Sequence, residues 1–258
     1  MMKNTGIILV SFGSTDIKVR EASTSLLLSE VRAKFNDCLV EEAFSGEKVR
    51  EKIFKESGEK VLSPWEALEK FKSLGIENVI LQNTFLMEGG EYKNQFLLAQ
   101  KYGEAFKSVK VGKPITCMDS SRNLSDALID GIIEKDEFTV LAGHGSIHEA
   151  NKMYFSINAE LEEAGFTKAF VGTLENKPDI GDVLAFLKDK GAENVTLMPL
   201  LSVAGNHSVK DIFGAENSYL SKLKDAGCKV KCVKKGLSEY KVIRDMWIRS
   251  IEEIMEEE

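Results

Sequence analysis

The sequence has little that would suit a membrane protein or a general nucleic-acid binder. It contains no apolar run of the length needed to span a bilayer. The apolar residues 7–10 lead into a glycine turn rather than a cleavage site, so we interpret them as a buried strand and not as a signal segment. The 41 acidic residues outnumber the 34 basic ones, and the net charge of −7 argues against a basic surface. We expect neither a membrane nor a nucleic acid as partner.

Cysteine and histidine are also scarce. The cysteines lack the spacing of a disulfide framework, and they are Cys38, Cys117, Cys228 and Cys232. The last two fall on one face of a predicted strand, where buried free thiols are common. We therefore predict a reduced protein of the cytoplasm. Imidazole chemistry is limited to the three histidines at positions 144, 148 and 207.

Motifs that bind nucleotides or carry a catalytic serine are absent from the sequence. Neither GxGxxG nor GxxxxGK[ST] occurs, so we expect no nucleotide cofactor. No GxSxG motif marks a hydrolase nucleophile. His148 and Glu149 resemble the start of the zinc-protease motif HExxH, but Lys152 occupies the place of its second histidine. We reject a zinc protease on that ground.

Short apolar runs alternate with helical patterns along the chain, which is typical of an α/β fold with parallel sheets covered on both faces. Strands are predicted at residues 6–14, 38–44, 78–86, 109–117, 138–143, 169–174, 194–201 and 229–233. Helices are predicted at residues 18–35, 47–55, 64–74, 91–106, 125–134, 151–164, 180–190, 219–226 and 239–255.

The order of these elements repeats, and the residues themselves repeat with it. Residues 75–92 (GIENVILQNTFLMEGGEY) align without gaps on residues 191–208 (GAENVTLMPLLSVAGNHS). Residues 8–14 (ILVSFGS) align on residues 140–146 (VLAGHGS). Two matches in the same order favour an internal duplication.

The duplication predicts two similar, Rossmann-like α/β lobes, at residues 1–120 and 121–237. Ligands of such sheets bind at the carboxyl ends of the strands, so we expect an active-site cleft between the lobes. Phe12 becomes the counterpart of His144, and Glu91 becomes the counterpart of His207. One lobe thus has imidazoles where the other has an aromatic ring and a carboxylate.

Three side chains that suit a metal ion follow successive strands of the second lobe. They are His144, Glu175 and His207. Two imidazoles and one carboxylate suit Co²⁺, Fe²⁺, Ni²⁺ or Zn²⁺ and leave coordination positions open. Taken singly, each histidine is equally a hydrogen-bonded loop residue, and Glu175 a helix cap ahead of Pro178. Their common position at one sheet edge favours the metal site.

The glycine turns SFGS and GHGS are candidates for ligand contact at the ends of equivalent strands. We interpret their serines as caps of the following helices, with polar contact to a ligand as a secondary role. The residues assigned to ligand binding are Ser11, Phe12, Gly13, Ser14, Gly145 and Ser146.

With these motifs the sequence resembles the class II chelatases, and among them the long, single-chain anaerobic cobalt chelatases of cobalamin biosynthesis. The resemblance covers essentially the whole chain. It rests on SFGS, on EGGEY at residues 88–92, on GHGS, on Glu175 and on MPLLSVAGNH at residues 198–207. The last of these motifs is the most specific.

The resemblance implies a fold of two flavodoxin-like lobes, with a tetrapyrrole in the cleft and the metal on His144, Glu175 and His207. It also implies that the C-terminal helix, within residues 238–258, packs back onto the first lobe. The substrate implied is sirohydrochlorin, and the substrate metal is Co²⁺.

Metal insertion into a tetrapyrrole removes two pyrrole N–H protons. We assign His144 as the principal proton acceptor and metal ligand, and Glu91 as an aid to proton removal or substrate placement. Because the sequence has no phosphate loop, we expect insertion without ATP. Two alternatives stay open: a ferrochelatase of sirohaem synthesis, and a tetrapyrrole or metal carrier without catalysis. The oligomeric state is open as well, and a homo-oligomer is compatible with the sequence.

Overall fold

The computed structural model describes residues 4–116 and 120–257, apart from the side chains of residues 206–208. Within these residues the strands are β1 (Thr5–Ser11), β2 (Leu39–Phe44), β3 (Asn78–Asn83), β4 (Ser108–Gly112), β5 (Thr139–Gly143), β6 (Ala169–Thr173), β7 (Asn194–Leu200) and β8 (Lys229–Cys232). The helices are α1 (Ile17–Ala22), α2 (Thr24–Lys34), α3 (Glu47–Ser57), α4 (Pro64–Ser73), α5 (Gly90–Tyr102), α6 (Arg122–Ile129), α7 (Met153–Glu163), α8 (Ile180–Asp189), α9 (Asn206–Phe213), α10 (Tyr219–Asp225) and α11 (Lys241–Glu256). Short 3₁₀ turns lie at Glu149–Lys152 and Leu237–Glu239.

The strands form two parallel sheets with the same order. The first sheet runs β2-β1-β3-β4, and the second runs β6-β5-β7-β8. This is the flavodoxin-like order, in which ligands bind at the carboxyl ends of the strands. The predicted α/β fold with two parallel sheets is confirmed. The chain divides into a first unit, Met1–Ile115 with Lys241–Glu258, and a second unit, Thr116–Tyr240.

The first unit buries its central strand on both faces. β1 is buried along its whole length, because α4 packs on one face and α2 lies against the neighbouring β2. Gly6 allows a close approach here, since an added Cβ would lie 2.3 Å from the Phe71 ring. The short apolar run in the sequence therefore corresponds to a strand covered on both sides.

Helix α11 belongs to the first unit through its contacts with β3 and β4. Its apolar stripe of Ile243, Trp247 and Ile251 is at most 1% exposed. Arg244 adds a paired hydrogen bond, from Nε and Nη2 to the Glu30 carboxylate at 2.8 and 2.9 Å. No described helix, α11 included, is long and apolar enough to cross a membrane.

Equivalent helix starts in the two units have the same pattern of backbone hydrogen bonds, each within its own unit. Gly89 caps α5, and its N–H donates to the Met87 carbonyl at 2.8 Å. Gly205 caps α9, and its N–H donates to the Val203 carbonyl at 3.0 Å. These are aligned positions of the two repeats, so the structural repeat follows the sequence repeat.

Several element boundaries differ from the prediction. The helix predicted at residues 18–35 is two helices, because Ser23 leaves helical geometry at φ −125° and ψ −91°. Its hydroxyl donates to the Val19 carbonyl, and this local bond competes with the backbone ladder. The helix predicted at residues 151–164 begins as a 3₁₀ turn and becomes α-helical at Met153.

The strand predicted at residues 109–117 ends at Gly112, since Pro114 cannot donate to a ladder and restricts Lys113 before it. Cys117 lies outside the described residues. Helix α9 was not predicted. The proposed burial of the thiols in the last strand is also wrong: Cys228 precedes β8 and is half-buried, and Cys232 is exposed.

The connecting helix predicted at residues 125–134 lies earlier, at Arg122–Ile129, and the last helix starts at Lys241 instead of residue 239. Residues 237–239 form a 3₁₀ turn, where the Gly236 N–H donates to Glu239 Oε1 at 2.7 Å. These shifts leave the order of the elements unchanged.

Candidate metal-handling site

The turn that carries His144 is set by two glycines and a buried tyrosine. β5 is buried throughout and ends at Gly143, where an added Cβ would lie 2.5 Å from the Tyr154 ring. Gly145 has a φ of +84°, which is left-handed and favours glycine. Its N–H donates to the Tyr154 hydroxyl at 3.4 Å. The chain therefore turns closely over Tyr154, and the His144 side chain is left 54% exposed.

Tyr154 is a neutral hydrogen-bonding group beneath this turn, and it is 2% exposed. Burial raises the pKa of its hydroxyl to about 12, although the backbone N–H groups of Gly145 and His144 oppose that shift. The phenol therefore stays protonated at neutral pH. It supports the turn and has no role as a base.

Glu175 lies beside His144 because their strands, β6 and β5, are neighbours in the sheet. The Glu175 N–H donates to the His144 carbonyl at 3.0 Å. Glu175 Oε2 lies 3.5 Å from His144 Nδ1, and the same Nδ1 lies 3.2 Å from the Gly145 carbonyl. Nδ1 thus faces two oxygen atoms, one from a carboxylate and one from a carbonyl. Two of the three predicted metal ligands thus lie together.

His207, the third predicted ligand, is the second residue of α9 and follows its cap Gly205. Its side chain lies outside the part of the chain that the structure describes. Among the side chains that are described, no three His, Cys, Asp or Glu residues form a group that could hold a metal ion. The described part of the site is therefore the pair of His144 and Glu175.

Glu91, predicted to assist proton removal, occupies in α5 the position that His207 occupies in α9. Each is the second residue of its helix, and each helix has a glycine cap without a side-chain hydrogen bond. Glu91 is half-buried. The two residues therefore hold the same backbone position within their own units.

The equivalent turn of the first unit keeps the backbone of the His144 turn without its imidazole and carboxylate. Gly13 has a φ of +89°, and the Gly46 N–H donates to the Phe12 carbonyl at 3.2 Å. Gly46 is therefore the counterpart of Glu175. Phe12 is 54% exposed, whereas Ser11, Gly13 and Ser14 are buried. Of the four ligand-binding residues predicted in this turn, Phe12 is the one with an exposed side chain.

The serines of both turns support the helix caps rather than forming them, so their predicted capping role is wrong. Ser14 Oγ accepts the Asp16 N–H at 3.2 Å, and Asp16 caps α1. Ser146 Oγ accepts the His148 N–H at 3.0 Å. His148 Nδ1 in turn accepts the Ala150 N–H at 3.1 Å. His148 is therefore a helix cap equivalent to Asp16.

The alternative that Glu175 caps a helix is also wrong, because Asp179 caps α8. Asp179 Oδ1 accepts the N–H groups of Gly181 at 2.7 Å and Asp182 at 3.2 Å. The hydrogen bond from Lys177, followed by those from the backbone, lowers the pKa of the Asp179 carboxyl. Glu175 is left free of any capping role.

Sequence reasoning missed two asparagines that join the loops of His144 and Glu175. Asn151 Oδ1 accepts the Ser146 N–H at 2.9 Å, and Asn176 Nδ2 donates to the Ser146 carbonyl at 2.8 Å. Asparagine after a strand is an ordinary turn residue, and this gave a weak signal. The bonding partners lie 5 and 30 residues away, so the fold is needed to recognise them.

Comparison with known proteins gives relatives over nearly the whole length. The Cobalt chelatase (CbiK) family matches residues 5–256. The chain is 28% identical to the sirohydrochlorin cobaltochelatase CbiKC of Nitratidesulfovibrio vulgaris over 254 residues, which cover 96% of this chain and 89% of the relative. It is 25% identical to the sirohydrochlorin cobaltochelatase of Salmonella typhimurium over 256 residues, with 96% of each covered.

Solved structures show the same fold. SirB from Bacillus subtilis with Fe³⁺ has a TM-score of 0.67 at 17% identity, covering 98% of this chain and 95% of the other. The sirohydrochlorin chelatase SirB from Bacillus subtilis subspecies spizizenii in complex with cobalt has a TM-score of 0.67 at 14% identity, covering 99% and 96%. The resemblance inferred from the sequence motifs is confirmed by the family match, and the chain belongs to the cobalt chelatase (CbiK) family.

Proposed function

We propose that this protein inserts Co²⁺ into sirohydrochlorin, in the anaerobic pathway of cobalamin biosynthesis. The observation that carries the proposal is the family match over residues 5–256. Both curated relatives described above are named sirohydrochlorin cobaltochelatases. The exposed pair of His144 and Glu175 at a sheet's carboxyl edge supplies chemistry suited to that reaction.

The spacing of His144 and Glu175 supports a role for both as metal ligands. A divalent ion held tetrahedrally by a nitrogen at about 2.1 Å and an oxygen at about 2.2 Å separates those two atoms by about 3.5 Å. His144 Nδ1 and Glu175 Oε2 are 3.5 Å apart. With an ion bound between them, the neutral imidazole would carry its proton on Nε2, which leaves the Nδ1 lone pair for the ion. We propose His207 as the third ligand, supported by its place at the start of α9.

The same imidazole suits the protons that metal insertion releases. Once the ion passes to the ring nitrogens, His144 Nδ1 is free to accept one pyrrole proton. A second proton must also leave, and we propose that Glu91 assists with it or places the substrate. The position of Glu91, equivalent to that of His207, supports this role.

The two glycine turns are proposed to contact the tetrapyrrole. Phe12 has an exposed ring that can lie against the flat macrocycle. Buried Ser11, Gly13 and Ser14 shape its turn. Gly145 and Ser146 do the same for the turn of His144 in the second unit.

The same donors also accept Fe²⁺, Ni²⁺ or Zn²⁺, because two imidazoles and one carboxylate select weakly among these ions. The sequence has no phosphate loop, so we propose that insertion needs no nucleotide. Free thiols at Cys38, Cys228 and Cys232 support a reducing, cytoplasmic setting.

The test is cobalt insertion by a His144→Ala variant, followed by the absorbance of cobalt-sirohydrochlorin under anaerobic conditions. Insertion should fall to the non-enzymatic rate while the far-UV spectrum is retained. His148→Asn is the matched control, because asparagine keeps an N-cap acceptor. It should retain the wild-type rate. Normal turnover in His144→Ala would refute the assignment.

The two alternatives predict different kinetics. A ferrochelatase of sirohaem synthesis would insert Fe²⁺ faster than Co²⁺ in parallel anaerobic assays. A carrier would bind both substrates without multiple turnovers. Rapid turnover with free Co²⁺ and metal-free sirohydrochlorin, faster than with Fe²⁺, supports the proposed function over both.

A further inference from the structure

Two side-chain amides cross-link the loops of His144 and Glu175 at the backbone of Ser146, in addition to the backbone bond from Glu175 to His144. Its N–H donates to Asn151 Oδ1 at 2.9 Å, and its carbonyl accepts from Asn176 Nδ2 at 2.8 Å. Ser146 is two residues from His144, and Asn176 directly follows Glu175. Movement of either loop must therefore break a side-chain amide hydrogen bond to the other.

Each of the two side-chain amides makes hydrogen bonds through both its oxygen and its nitrogen. Asn151 Nδ2 donates to the Lys177 carbonyl at 2.7 Å, and Asn176 Oδ1 accepts the Lys177 N–H at 2.8 Å. Asn151 is 8% exposed, and Asn176 is half-buried. An amide that is at least half-buried and hydrogen-bonded through both its oxygen and its nitrogen has little freedom to rotate. The two amides therefore fix the separation of the loops that they join.

The equivalent turn in the first unit folds without these amides. Its backbone bond from Gly46 to the Phe12 carbonyl matches the bond from Glu175 to the His144 carbonyl. Alignment of the turns and helix starts puts Val19 at the position of Asn151 and Glu47 at the position of Asn176. Two asparagines therefore occur only in the copy that has the imidazole and the carboxylate.

The chain leaves the two turns differently. After Gly46 it enters α3 at once, and the first helical turn fixes that end of the loop. After Glu175 it continues as a loop to Asp179, the cap of α8. The Glu175 side chain is 63% exposed, so packing alone does little to hold it. Asn151 and Asn176 supply the fixed attachment that α3 provides in the other unit.

We propose that Asn151 and Asn176 are positioning residues, which hold the Glu175 carboxylate at metal-sharing distance from His144. The inference rests on the proposed function of that pair as metal ligands. Both ligands must be in place when the ion arrives, and hydrogen bonds behind metal ligands typically change metal affinity by about 10- to 100-fold. The amides act through the loops and do not touch the ion themselves.

The test uses Asn151→Asp and Asn176→Asp, together with the alanine variants to separate geometry from added charge. Each aspartate keeps the acceptor oxygen and loses the donated hydrogen bond. Asn158→Asp is the matched control. Asn158 likewise makes two hydrogen bonds, both to the backbone of Val171 on the edge strand β6. Its Nδ2 donates to the carbonyl at 3.0 Å, and its Oδ1 accepts the N–H at 2.7 Å.

Titration with Co²⁺ alone, followed by cobalt absorption, gives the dissociation constant without the tetrapyrrole. For both positions we expect it to rise by about 10- to 100-fold, with a higher KM for Co²⁺ and an unchanged KM for sirohydrochlorin. Asn158→Asp should lower the thermal midpoint by a similar amount and leave Co²⁺ affinity at the wild-type value. Half-buried Asn176 provides the measurement if Asn151 variants do not fold.

Failure of this inference and failure of the proposed function give different results. If the asparagine variants match Asn158→Asp in Co²⁺ affinity, while wild type inserts cobalt, the positioning role is wrong. If wild type binds Co²⁺ through His144 but never inserts it, the proposed function is wrong. In that case weaker Co²⁺ binding in the asparagine variants still supports the positioning role.

Discussion

Gly145→Ala tests whether the close fit between the loops of His144 and Glu175 controls chelation. Two costs add at this position. A φ of +84° disfavours any side chain, at about 1–2 kcal/mol. An added Cβ would also lie 2.8 Å from Thr173 Oγ1 and 3.0 Å from the Asn176 backbone nitrogen. Such overpacking costs about 1–3 kcal/mol. The sum is a loss of about 2–5 kcal/mol of folding free energy.

Gly191→Ala is the control that separates these two costs. Gly191 has a comparable φ of +64°, and an added Cβ would meet nothing within 4 Å. It should therefore show the backbone cost alone, about 1–2 kcal/mol. Urea unfolding of both variants gives the difference, which measures the steric contact between the loops.

Activity gives the second half of this test. Relief of the contact at Gly145 must move the loop of Glu175 away from His144, because the Asn176 backbone cannot rotate aside as a side chain can. Cobalt insertion should fall at least tenfold in Gly145→Ala and remain normal in Gly191→Ala under conditions where both are folded. Equal destabilisation of the two variants, or normal insertion by Gly145→Ala, would refute the reasoning.

Three further predictions concern buried and capping groups. Tyr154→Phe leaves the Gly145 N–H without its acceptor and should cost about 1–3 kcal/mol in urea unfolding, near the low end because the bond is 3.4 Å long; an unchanged midpoint would contradict it. Asp179→Ala should cost about 1 kcal/mol at pH 7. Since its folded-state pKa is lowered, this contribution is present above about pH 4 and disappears as the pH falls through the lowered value; the same loss at pH 2 would refute it. Glu42 has a pKa raised chiefly by burial, so its charge opposes folding once the pH rises through the raised value; Glu42→Gln should stabilise at pH 8 and have little effect at pH 4, as measured by thermal unfolding.

The sheets could be predicted because their central strands are short, continuous and apolar. β1 and β5 are buried along their length, and this burial requires the residues that mark them in the sequence. The sequence repeat also showed which positions of the two units correspond to each other. Both signals come from many residues acting together, so single exceptions such as Pro199 within β7 did not hide them.

The sequence could not show features that depend on side chains competing with backbone hydrogen bonds, or on hydrogen-bond partners brought together by the fold. The break at Ser23 depends on a hydroxyl that bonds the Val19 carbonyl instead of solvent. α9 has eight residues and no side-chain cap, so no local signal marks its start. The proximity of His144 and Glu175 was inferred from strand order, but the asparagines that join their loops depend on contacts across the folded turn.

The repeated turn has a consequence for how such a site can diverge. In an assembly of two identical lobes, every substitution would appear in both copies of the turn. Here one copy has Phe12 and Gly46, and the other has His144 and Glu175, on the same backbone bonds. When the two copies lie in one chain, each copy is encoded separately, so a substitution in one copy leaves the other unchanged. One turn can therefore carry an imidazole and a carboxylate while the equivalent turn has neither.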